Sequence, residues 1–203
     1  MPGKSSMHFY SSWAKERIDE MDAALASLER SASRVLAGSK ARANQLTADL
    51  KRRRDEFQAA VNKEAEAGEA AWEGAMTKLE TQWNGFEAQV KAYLETVGKE
   101  VGEQEATFLD MSAGQIKAWR EATVKLHEAA GKVAATQRAE IEAAVKRMKI
   151  EASEAEVRMQ NLKRAGSKTW SSWSAALAES RKAFDRANQA AWDAVKRAAS
   201  PKS

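Results

Sequence analysis

The chain has 203 residues, of which 42 are Ala, while Leu, Ile, Val and Phe together number only 30. More than half of the residues are Ala, Glu, Lys, Arg or Leu, prolines stand only at Pro2 and Pro201, and 33 basic against 29 acidic side chains leave a net charge of +4. Such a composition belongs to long helices and coiled coils, and it excludes a β-sandwich or an α/β enzyme, which need β-branched runs and turn residues that this chain lacks.

The first helical segment is expected over about residues 5–37. Ile18, Met21, Leu25, Leu28, Ala32 and Val35 recur at steps of three and four, which lines them along one stripe of a helix. Ala37-Gly38-Ser39-Lys40 then offers a glycine to end one helix and a hydroxyl to cap the next. The second segment, about 40–97, carries the clearest stripe of the chain: Trp72, Met76, Leu79, Trp83, Phe86, Val90, Tyr93 and Val97. Its six leading residues, Trp72 to Val90, form the expected self-association seam. The same segment holds the densest basic run, Lys51-Arg52-Arg53-Arg54, with Lys40 and Arg42 upstream and Asp49, Asp55 and Glu56 close by.

The stretch Gly98 to Gly114 reads as the central turn, with Ser112 and Gln115 in a capping-box pattern ahead of Ile116. The third segment, about 112–165, runs on a stripe from Ile116 through Trp119, Leu126, Ile141 and Met148 to Leu162. Val124, Val145, Ile150 and Val157 lie off that stripe and predict a second buried face, hence more than one neighbouring helix. Ala165-Gly166-Ser167-Lys168 repeats the earlier turn, and the fourth segment, about 168–199, follows it with Trp170, Trp173 and Trp192.

Gly38, Gly102 and Gly166 are 64 residues apart, so the segments are short, long, long and short, almost mirror-symmetric about Gly102. The expected fold is all-α: one elongated domain over 1–203, a long antiparallel helical hairpin or coiled coil with arms of about 90 Å at 1.5 Å per residue, whose two short end helices either fold back to give an elongated four-helix arrangement or continue as an extended pair. Charge agrees with paired arms. Residues 57–110 sum to −7 and residues 138–203 to +6.

Chemistry is sparse. With no cysteine and only His8 and His127, there is neither a thiolate site nor a metal-ligand spacing, and Gly-Ser-Lys at 38–40 and 166–168 lacks the remainder of a phosphate loop. The expectation is a protein without enzymatic activity, cofactor, metal or small-molecule substrate. The N-terminal residues contain no apolar run of signal-peptide length and nowhere do 18 apolar residues occur together, so a cytoplasmic protein is expected, peripheral to a membrane or granule.

Seven tryptophans are many for an Ala-rich coiled coil. Their plainest role is to fill space opposite alanines. The sharper one, best suited to Trp170, Trp173 and Trp192 beside the basic C-terminal segment, is contact with a partner or an anionic surface. The Lys51–Arg54 run reads chiefly as a solvated or salt-bridged face, with contact to phosphates of lipid or nucleic acid as the alternative. The segment Leu79 to Glu95, LETQWNGFEAQVKAYLE, resembles the amphipathic repeats of exchangeable apolipoproteins, and the Ala-rich helices resemble phasins, which coat polyester storage granules. The resemblance implies lipid- or granule-surface binding without catalysis. The expected function is therefore a self-associating homo-oligomeric scaffold or coat on an anionic membrane or granule; the alternative is nucleic-acid binding by the basic arm.

Overall fold

In the computed structural model, which describes residues 3–98, 104–132, 135–166 and 170–199, the chain is all-α. Six α-helices occur among the described residues: α1 Gly3–Ser33, α2 Ala37–Ala67, α3 Glu69–Tyr93, α4 Gln104–Ala130, α5 Ala135–Arg164 and α6 Trp170–Ala199. A single π-helical turn, Leu94–Gly98, extends α3.

The helix boundaries differ from the short-long-long-short reading. The expected helix over 40–97 is interrupted at Gly68, whose φ of 95° and ψ of −174° lie in a region reserved for glycine. The expected helix over 112–165 begins earlier, at Gln104, and breaks after Ala130. Ser112 is no cap: it lies inside α4, buried, with its Oγ donating to the Phe108 carbonyl at 2.8 Å. Gly114 is not a turn residue either. A Cβ at this position would meet the Ala23 Cβ at 2.3 Å, so this glycine lets α4 approach α1. Gly38 sits in the first turn of α2, which opens at Leu36 without a side-chain cap. Gly166 does end a helix, at φ 67°, with its N–H donating to the Lys163 carbonyl. Gly102 and Ser167 lie outside the described residues.

The chain divides into two units, one built on residues 17–115 and the other on residues 3–16, 116–166 and 171–199. In the first, α1 is the common neighbour. Asp22 pairs with Arg54 and Glu29 with Lys51, in opposite order along the two helices, so α1 and α2 are antiparallel. Arg17 lies over Trp83, and Tyr93 bonds Leu28, in the same order, so α1 and α3 are parallel. Glu20 meets Gln115 and Ser27 meets Thr107, so α1 and α4 are antiparallel. With α2 packed on α3, this is an up-down-up-down four-helix arrangement. Its fully buried large side chains include Met21, Leu28, Leu50, Phe57, Trp72, Leu79, Phe86, Tyr93 and Phe108.

In the second unit α5 and α6 are antiparallel, since Arg197 pairs with Glu140 and Arg158 bonds Ser180. Trp119 of α4 stacks on Phe184 of α6, and Arg120 of α4 pairs with Glu156 of α5. Ala144, Ala152, Ala155 and Ala191 are buried beside Ile141, Met148 and Trp192. The small side chains let helices close on the large ones, which is how few bulky residues suffice for a core.

Candidate contact surfaces

The basic run of α2 is turned toward its own chain. Lys51 pairs with Glu29, and Arg52 pairs with Asp49 at 3.1 Å and Glu56 at 3.9 Å. Arg54 grips Asp22 with two nitrogens, Nε at 2.7 Å and Nη2 at 3.0 Å, and that carboxylate raises its pKa above the ordinary guanidinium value. Arg53 reaches across α3, its Nη1 3.1 Å from where a Cβ on residue 85 would sit, so Gly85 provides its berth. Exposed pairs of this kind contribute about 0–1 kcal/mol each. Their consequence is for ligands: a phosphate would have to displace carboxylates already in place.

The tryptophans whose side chains are described are interior. Trp173 and Trp192 of α6 are exposed by only 2% and 7%, and the Trp170 side chain lies outside the described residues. The seam residues Trp72, Leu79, Trp83, Phe86 and Val90 are buried on α3, with Met76 half-buried. They close the 17–115 unit within one chain. Of the four off-stripe residues, Val145 is buried, whereas Val124, Ile150 and Val157 are exposed.

Two features escaped the pattern reading. The first is a buried polar stripe on α1. Arg17 and Glu20, with side chains 3% and 0% exposed, form an ion pair at 2.9 Å, and Gln115 donates to the second Glu20 oxygen. The Arg17 guanidinium lies 5.2 Å from the Trp83 ring centroid, a cation–π distance. The signal was present: Trp13, Arg17, Glu20, Ala24, Ser27 and Ser31 form a second stripe at steps of four and three, beside the apolar one. On the same helix, the Leu28 carbonyl accepts the Tyr93 hydroxyl at 3.1 Å. Burial pushes the Tyr93 pKa above its ordinary value, with Ser31 opposing. A raised folded-state pKa gives stability that is complete below about pH 10, where unfolded Tyr begins to ionise, and that is lost as pH rises through the folded value. Urea midpoints above pH 10 are therefore expected to fall more steeply for the natural chain than for Tyr93→Phe; parallel declines would remove the hydroxyl as the cause.

The second feature is the outward face of α5. Ile150 and Val157, 45% and 53% exposed, stand two turns apart, and a shallow groove joins them with Lys146, Lys149, Ser153, Glu154 and Arg158. Arg158 also reaches Glu154, Glu179 and Ser180. For Lys146 and Lys149 no ion pair is found among the described residues. No described helix is long and apolar enough to cross a membrane, and no group of three or more described His, Asp or Glu side chains is placed to hold a metal ion.

No family model, curated protein or solved structure matches this chain.

Proposed function

We propose that this chain is a non-enzymatic helical scaffold that lays the outward face of α5 on an anionic lipid surface, as one unit of a coat. The observation that supports this reading is the exposed Ile150–Val157 strip with Lys146 and Lys149 alongside it. An apolar line flanked by cations is the chemistry by which a helix lies in a membrane interface.

The magnitudes favour a coat over a single anchor. Covering the exposed halves of two aliphatic side chains contributes about 1 kcal/mol each. Each lysine near an anionic leaflet adds about 1 kcal/mol. The total, about 4 kcal/mol, corresponds to millimolar affinity. Such a strip binds reversibly and salt-sensitively by itself, and binds firmly only when several are presented together. The nucleic-acid alternative has weaker support, because the Lys51–Arg54 run is engaged with Glu29, Asp49, Glu56, Asp22 and the berth at Gly85.

The test is co-sedimentation with vesicles of anionic or zwitterionic phospholipid at millimolar lipid. Binding is expected to the anionic vesicles at low salt, and to disappear for Ile150→Asp/Val157→Asp and for Lys146→Glu/Lys149→Glu. Both pairs alter exposed positions, so helicity should persist. Equal binding by the variants, or none by the natural chain, would sink the proposal.

A further inference from the structure

We infer that Gly68 is a hinge through which two copies of this chain exchange arms, residues 3–67 of each taking in the other copy the place they hold in the closed chain, with α2 and α3 joined into one helix. The second copy is the partner, because every contact it would make already exists within one chain. The pairs Arg17–Trp83, Tyr93–Leu28, Ser27–Thr107, Glu20–Gln115 and Arg30–Asp110 all join the 3–67 arm to the remainder. Exchange re-makes them between copies and alters only the connection.

That connection is a single residue. Gly68 alone separates α2 from α3, in a backbone conformation that L side chains rarely adopt. Both flanks favour helix: Ala65-Glu66-Ala67 before it and Glu69-Ala70-Ala71 after it. The N–H groups that open α3 have no capping side chain, and straightening returns those of residues 69–71 to the carbonyls of residues 65–67. The last turn of α2 holds Glu64 and Glu66 and no basic residue, an unfavourable end for the helix dipole that a continuous helix removes.

The apolar phase makes the straight form usable. Thr47, Leu50, Phe57 and Val61 on α2 and Trp72, Leu79, Trp83, Phe86, Val90 and Tyr93 on α3 are all buried. They fall on one progression of three- and four-residue steps that passes through Arg54, Ala65 and Gly68, with consecutive steps of four at 57–61–65 and 68–72–76. A helix over 37–93, about 85 Å long at 1.5 Å per residue, would thus present both core faces on one stripe. A short strained connection of this kind is the usual seat of domain swapping. At low concentration the closed form prevails, because its arms are held at high effective concentration.

Gly68→Ala removes access to the hairpin conformation while favouring helix. By light scattering after size-exclusion chromatography, its mass is expected to be twice the 22.3 kDa of the chain, with helicity unchanged. The chain has no native cysteine, so Arg30→Cys/Asp110→Cys, treated with a short bismaleimide, reports which arms meet. Covalent dimers are expected in the Gly68→Ala background and intramolecular links in the Gly68 background. A Gly68→Ala chain that is monomeric, with the link still intramolecular, overturns the inference and leaves Gly68 as a strained turn. Should that variant not fold, the natural chain refolded at high concentration is expected to yield a dimer fraction that insertion of Gly-Ser-Gly after Gly68 abolishes. Equal fractions, or none from either, would overturn it as well.

Discussion

Replacing Glu20 by Leu is expected to lower the stability of the 17–115 unit by about 3–5 kcal/mol, the cost of removing one partner from a buried ion pair. The Arg17 guanidinium would stay buried after losing the carboxylate it meets at 2.9 Å, and Gln115 would lose its acceptor. A second variant separates electrostatics from packing. The combined change Arg17→Met, Glu20→Leu and Gln115→Leu removes the desolvation cost together with the attraction, and it should restore stability to within about 1–2 kcal/mol of the natural chain or exceed it. Urea titrations followed by circular dichroism measure both. A triple variant as unstable as Glu20→Leu would mean that the shape of this layer, not its charge, matters.

Trp119→Ala is expected to cost about 3–5 kcal/mol in the other unit, the range for truncating a fully buried large aromatic. Its indole is wholly buried and stacks on Phe184 with ring centroids 5.0 Å apart and planes 12° from parallel. Trp119→Phe keeps a ring against Phe184 and should lose markedly less. Because Glu20 and Trp119 belong to different units, the two variants also examine cooperativity. A thermal melt in which each lowers a separate step would show that the units unfold in turn; a single shared transition in both would show that they unfold together. A Trp119→Ala melt matching that of the natural chain would contradict the assigned burial.

Helical class and the α3 stripe were legible because a strict four-three spacing of large apolar residues leaves a chain few alternatives. The break at Gly68 was not, for a reason visible in the residues themselves. The same spacing runs through Val61, Ala65, Gly68 and Trp72 without a slip, so periodicity carries no mark of the reversal. Gly114 misled in the opposite direction. A glycine can signal a turn or a close approach, and here it accommodates Ala23. The basic run illustrates a third limit: the partners of Lys51 and Arg54 are Glu29 and Asp22, on another helix, and no spacing rule within α2 points to them. Arg17 and Glu20 fall on a regular stripe, yet charged residues at that spacing read as a solvated face until α4 and α3 are in place. The α5 strip was half-legible. Its residues stood out as off-stripe, but whether a neighbouring helix covers them depends on tertiary packing.

The six tryptophans whose side chains are described, Trp13, Trp72, Trp83, Trp119, Trp173 and Trp192, are all buried. Indole emission from these six side chains is therefore a gauge of the interior. It should already be blue-shifted in plain buffer and move to the red when helices part, while docking of the α5 face on a surface should leave it nearly unchanged. A spectroscopist seeking adsorption would need a dye placed on α5, and one seeking helix separation would need no label.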